Sequence, residues 1–129
     1  MFSQEEWGDL QKNELTLNEI GPVWPGCEKG SAPSRANCFN KKLATHIAKN
    51  FKYPAEAYKK NEQGKVVITF DINEKGLPII KSVKGGSVAL QNEAKRNIMS
   101  MPKMAKPGML GGKPRAIQYI VPINFKTGK

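Results

Sequence analysis

The stretch Gly64-Lys65-Val66-Val67-Ile68-Thr69-Phe70-Asp71-Ile72-Asn73-Glu74-Lys75-Gly76 decides the fold class of this 129-residue chain. Val66, Ile68, Phe70 and Ile72 alternate with Lys65, Val67, Thr69 and Asp71, so the period is two and one face is apolar. That pattern is a strand half-buried against a core. Asn73-Glu74-Lys75-Gly76 reads as a turn, with Gly76 free to take the positive φ that closes a hairpin. Leu77 to Lys84 is then the return strand, and the sheet starts out antiparallel.

Moving outward, the segment before this hairpin has a helical period. Phe39, Leu43, Ile47 and Phe51 recur at four-residue spacing from Cys38 onward, with Lys41, Lys42, Lys49 and Asn50 off that stripe. Asn37 is placed to cap this helix, and Tyr53 before Pro54 stops it near Lys52. Pro54 opens a short second turn running to Lys60. After the hairpin, Gly85-Gly86-Ser87 breaks the strand. Ser87 caps a second helix whose apolar face is Leu90, Ala94, Ile98 and Met101. Residues 103–114 read as loop. Arg115 to Phe125 is a last strand, with Ile117, Tyr119, Val121, Ile123 and Phe125 on its apolar face.

The element order is helix, strand, strand, helix, strand. It predicts an α+β fold, a small antiparallel three-stranded sheet with two helices packed on one face. Residues 1–37 have no sustained period and carry Gly21-Pro22, Pro25-Gly26 and Gly30-Ser31-Ala32-Pro33-Ser34, so they are read as an extended, partly mobile arm before a domain at 38–129. Val23 and Trp24 are the residues expected to pin that arm to the domain.

Composition bounds the function classes. Hydrophobic residues at 39% and charged residues at 25% suit one compact domain. The longest apolar stretch, Tyr119 to Ile123, is far too short for a membrane helix. The start Met1-Phe2-Ser3-Gln4-Glu5-Glu6 shows no signal peptide. Net charge is +10 and unevenly spread: Glu5, Glu6, Asp9, Glu14, Glu19 and Glu28 against Lys12 give residues 1–28 a charge of −5, leaving +15 on the rest. A basic body with an acidic arm suits self-docking, an anionic partner such as nucleic acid or cell wall, or simple solubility.

Cys27 and Cys38 are the only cysteines and His46 the only histidine, which leaves no ligand set for a structural zinc and no C-x-x-C redox pair. A disulfide closing a short loop, in an oxidising compartment, is one reading. Two unpaired thiols in a reducing compartment are the other. Gly85-Gly86-Ser87 lacks the further glycines and the lysine of a phosphate loop. Glu56, Glu62, Asp71, Glu74 and Glu93 are assigned to surfaces without the paired spacing of acid–base chemistry. No enzyme, cofactor or metal site is expected.

Pro122 inside the last strand is the unusual feature, because proline cannot donate to a ladder and belongs on an edge or at a bulge. Alternation places Ala116, Gln118 and Ile120 on the same edge as the missing N–H. A free edge is a template for a strand from another chain. Loops or the N-terminal arm covering that edge is the competing reading.

Together these residues resemble the C-terminal domain of TonB-type energy transducers. The resemblance runs from about Val23 to Phe125: Pro25-Gly26-Cys27-Glu28, similar to a cysteine-bearing subset, then Tyr53-Pro54 with Ala57, Gly64-Lys65-Val66, Phe70-Asp71-Ile72 and Gly76. Glu93-Ala94, Met101-Pro102, Pro107-Gly108, Gly112-Lys113-Pro114 and Val121-Pro122-Ile123 with Phe125 complete it. The resemblance implies a periplasmic domain that binds the TonB box of an outer-membrane transporter by strand addition, coupling inner-membrane energy to nutrient uptake. The partner-binding strand it implies is Arg115, Ala116, Ile117, Gln118, Tyr119, Ile120, Val121 and Pro122. An inner-membrane proton-channel complex is a partner only if an anchor lies upstream, since neither the anchor nor the proline-rich spacer of full transducers is visible; a stand-alone form would bind without transducing. Two further readings are a polyanion binder, against which the assignment of most aromatics to the core counts, and a homodimer formed edge to edge.

Overall fold

A computed structural model describes the backbone of Gln11–Lys12 and residues 19–128. The acids Glu5, Glu6, Asp9 and Glu14 of the arm lie outside the described residues. Three long strands make the sheet: β3 (Gly64–Ile72) at the centre, β4 (Pro78–Lys84) on one side and β7 (Ile117–Phe125) on the other, all antiparallel. A two-residue strand, β1 (Gln11–Lys12), adds to the outer side of β7. Helices α1 (Ala32–Lys49) and α3 (Val88–Met99) bury their apolar stripes in the same core as the sheet's inner face, and α2 (Ala55–Lys59) is one short turn between α1 and β3. The α+β architecture with helices on one face is the one the sequence predicts.

The alternation in β3 is realised residue by residue. Val66, Ile68, Phe70 and Ile72 are fully buried, while Val67, Thr69 and Asp71 on the other face are half-buried. β7 runs beside β3 in unbroken register from Gly64 opposite Phe125 to Ile72 opposite Ile117. β4 is irregular: Phe70 pairs with Ile80 and Thr69 with Ser82, so Lys81 is the extra residue of a bulge. The bulge lets Ile80 and Val83, three apart, both face the core, and Lys81 reaches Asp71 at 3.7 Å. In the hairpin turn Asn73 Oδ1 accepts from the N–H groups of Lys75 and Leu77, both at 2.9 Å, and Gly76 has φ +81°.

The first helix and the segment at 103–114 differ from expectation. α1 starts at Ala32 rather than after Asn37, because Ser31 accepts a hydrogen bond from the Ser34 N–H at 3.3 Å and Pro33 sits in the first turn, where its missing N–H costs nothing. Residues 103–114, expected as loop, carry a second small sheet: β2 (Glu19–Ile20), β5 (Gly108–Leu110) and β6 (Lys113–Arg115). Leu110 pairs with Lys113 across Gly111 and Gly112, both at positive φ (+58° and +81°), which is a two-residue hairpin of the mirror-image type. Val23 donates to the Lys106 carbonyl at 2.9 Å and accepts from the Ala105 N–H at 2.8 Å. The arm is therefore stitched to the domain from Glu19 onward. Val23 and Trp24 are buried, as expected, and Trp24 meets Phe39 edge-on at 5.6 Å.

Candidate docking edge

The sheet has two outer edges, and they are built differently. β4 carries Pro78, the Lys81 bulge and Lys84, three devices that discourage pairing, and no described strand lies beyond it. β7 has neither bulge nor terminal lysine within its span, and a strand does pair with its outer side: Gln11 lies opposite Ile120 and Lys12 opposite Tyr119. Pro122 faces Val67 of β3. Proline leaves the β3 ladder intact when that pair exchanges no ladder bonds; its missing N–H then lies on the outer side, where alternation also turns the backbone groups of Gln118 and Ile120.

The strand predicted from Arg115 to Phe125 divides into two parts. Ile117, Gln118, Tyr119, Ile120, Val121 and Pro122 lie together in β7. Ala116 separates them from Arg115, which ends β6 and pairs with Gly108. The Arg115 guanidinium forms an ion pair with the Glu19 carboxylate, whose side chain is almost wholly buried. Gly108 is required at this junction, since a Cβ there would lie 2.4 Å from Ile117 Cγ1 and 3.0 Å from the Arg115 carbonyl oxygen.

The edge is held rigid from beneath. Tyr119 stacks on Phe39 of α1 at 4.9 Å and on Phe70 of β3 at 5.8 Å. Its burial pushes the phenol well above the usual tyrosine range. At the far end Phe125 meets Phe51 at 5.4 Å and Tyr53 at 5.8 Å, and Tyr53 donates from its hydroxyl to the Glu62 carbonyl. Burial first, then the nearby Glu62 charge, raises the Tyr53 pKa.

The other predicted groups serve structure. Cys27 and Cys38 are joined, their Cα atoms 5.7 Å apart, which ties the arm to α1. His46 Nε2 lies 3.1 Å from the Asn97 carbonyl oxygen and 3.0 Å from Ser100 Oγ, joining α1 to α3. Gly85 serves close packing, since a Cβ there would lie 2.3 Å from the Lys65 carbonyl oxygen, and Ser87 caps α3 through the Leu90 N–H. Glu93 corrects its surface assignment. It is buried, accepts from the Lys52 N–H at 2.8 Å, and is bridged by Arg96, whose Nε donates at 2.7 Å. That hydrogen bond chiefly raises the Arg96 pKa. A glutamate three residues before an arginine was the available signal for this pair, but a salt-bridged surface face has the same spacing.

Among the described residues no group of three or more His, Cys, Asp or Glu side chains could hold a metal ion. No described helix is long and apolar enough to cross a membrane.

The family of Gram-negative bacterial TonB protein C-terminal domains matches residues 49–127. The chain belongs to this family. Its matched region contains β3, β4, α3 and the whole of β7. The solution structure of the Helicobacter pylori TonB C-terminal domain is similar to this fold, with a TM-score of 0.50 and 23% identity, covering 77% of this chain and 85% of that one. No curated protein matches the chain.

Proposed function

We propose that this TonB-family domain is a non-enzymatic periplasmic module that captures an extended segment of an outer-membrane transporter, the TonB box, as an added strand on β7. The single observation that supports the reading most is that β7's outer side pairs with a short extended segment, β1, whereas the opposite edge at β4 carries features that oppose pairing. Main-chain hydrogen bonds supply affinity in this mode, and the rigid aromatic bed under Tyr119 keeps the edge from yielding. If a membrane anchor lies upstream in the natural protein, the same grip transmits inner-membrane energy to the transporter.

The test is a titration of the isotope-labelled chain with peptides from transporter plug N-termini at physiological salt. Shifts should concentrate on residues 117–122. Ile120→Pro removes an outward N–H and should weaken binding at least about tenfold, with the fold retained because β3 loses nothing. Equal binding by Ile120→Pro and the parent chain would rule out β7 as the docking strand. Binding that ignores peptide sequence and collapses with salt would point to the basic surface instead, and a concentration-dependent sedimentation increase without peptide would point to edge-to-edge dimers.

A further inference from the structure

We infer that Gln11–Lys12 is a built-in competitor for the docking edge, an intramolecular strand that must leave β7 before a partner strand can enter. The inference rests on the strand-capture reading above. Gln11 opposite Ile120 and Lys12 opposite Tyr119 put β1 near the middle of the nine-residue β7, where an incoming strand would need the same backbone groups. An outward N–H or C=O in a ladder serves one neighbouring strand. Occupation by β1 therefore excludes a partner at this point.

Two residue pairs are a weak contact alone, since even a full two-stranded ribbon is marginal in water. Tethering changes the balance. β2, fixed to β5, begins at Glu19, so only residues 13–18 separate β1 from a held segment. A tether this short gives an effective concentration on the order of millimolar. Charge acts in the same direction: residues 1–18 hold four acids against Lys12, while residues 29–129 carry +15. The result is a cover that is populated yet small enough to be displaced. The two edges are thus protected in different ways, β4 permanently by its bulge and charges, β7 reversibly by the chain's own arm.

Apparent affinity for a partner falls in proportion to the fraction of molecules with the edge open. The experiment uses three full-length chains: the parent, the double variant Gln11→Pro and Lys12→Pro, which cannot form the β1 ladder, and Gln11→Cys with Ile120→Cys, oxidised to lock β1 in place. Directly opposed residues in an antiparallel pair lie within disulfide reach, and Ile120→Cys alone is the control. Amide exchange at Ile120, whose N–H faces β1, is read first and should speed up in the proline variant, while that of Tyr119, whose N–H faces β3, and the rest of the spectrum stay unchanged. Transporter plug peptides should then bind the proline variant about 3- to 10-fold more tightly than the parent, corresponding to an arm seated in roughly 70–90% of molecules. The locked chain should bind at least about tenfold more weakly than its control. A synthetic peptide of residues 5–18 should shift residues 117–122 of the proline variant. Plug peptides that bind the parent and the proline variant equally would overturn the competitor while leaving the docking edge intact. Plug peptides that bind none of the chains would remove the docking reading, and the competitor's role with it.

Discussion

Tyr119 concentrates several demands on one side chain: it lines the core, supports the edge proposed for docking and has its hydroxyl held protonated by burial. Its folded pKa lies above its unfolded value near 10, so the stabilisation is complete below that pH and is lost as pH rises above it, where the unfolded chain ionises first. At pH 11 the loss should be on the order of 1 kcal/mol. Urea midpoints at pH 8 and pH 11 should therefore converge in Tyr119→Phe relative to the parent; an unchanged alkaline loss would assign it to other groups. Glu93 makes the second residue-scale prediction. Glu93→Ala strips Arg96 and the Lys52 N–H of their shared acceptor and should destabilise by about 2–4 kcal/mol. Peptide affinity at β7 should be unchanged, since the pair lies at the α1–α3 seam; a matching loss of affinity would show that seam and edge are coupled.

At the scale of elements, the sequence was most legible where one face of a segment is buried along its whole length. β3, β7, α1 and α3 announce themselves because a slip in period would put Phe70, Tyr119, Leu43 or Leu90 into water. The short pieces are another matter. β5 and β6 are three residues each, rich in Gly, Pro and basic residues, and their stability comes from the Glu19–Arg115 pair and β2, not from any local pattern. Gly111-Gly112 was a readable hairpin turn, yet Pro107 and Pro114 on either side masked it as loop. Ser31-Ala32-Pro33 likewise held a capping signal inside a stretch whose composition says loop. The edge proposed for docking was half legible. Pro122 marks the outer side of the last strand, the side on which Gln11 and Lys12 pair, but nothing local to those two residues specifies the pairing, because a two-residue strand has no period.

Over the whole molecule, one covalent link and one small sheet convert a loose N-terminal segment into part of the body. The Cys27–Cys38 bond closes a short loop and should contribute roughly 2–3 kcal/mol. Cys27→Ser with Cys38→Ser should lower stability by that amount in urea unfolding, with binding at β7 retained in native buffer. A far larger loss would mean that Trp24 and the β2 stitch depend on the bond.

The pairing of β2 with β5 has a consequence in time. Glu19 meets Leu110 and Ile20 meets Met109, partners separated by about ninety residues, whereas Cys27 and Cys38 are 11 apart. Contacts of high sequence separation close late, and local ones can close early. When the chain enters an oxidising compartment N-terminus first, oxidation can bring Trp24 to α1 before the chain's last quarter has arrived. The small sheet must wait for that quarter, so the same segment is fastened first by a thiol reaction and last by a ladder.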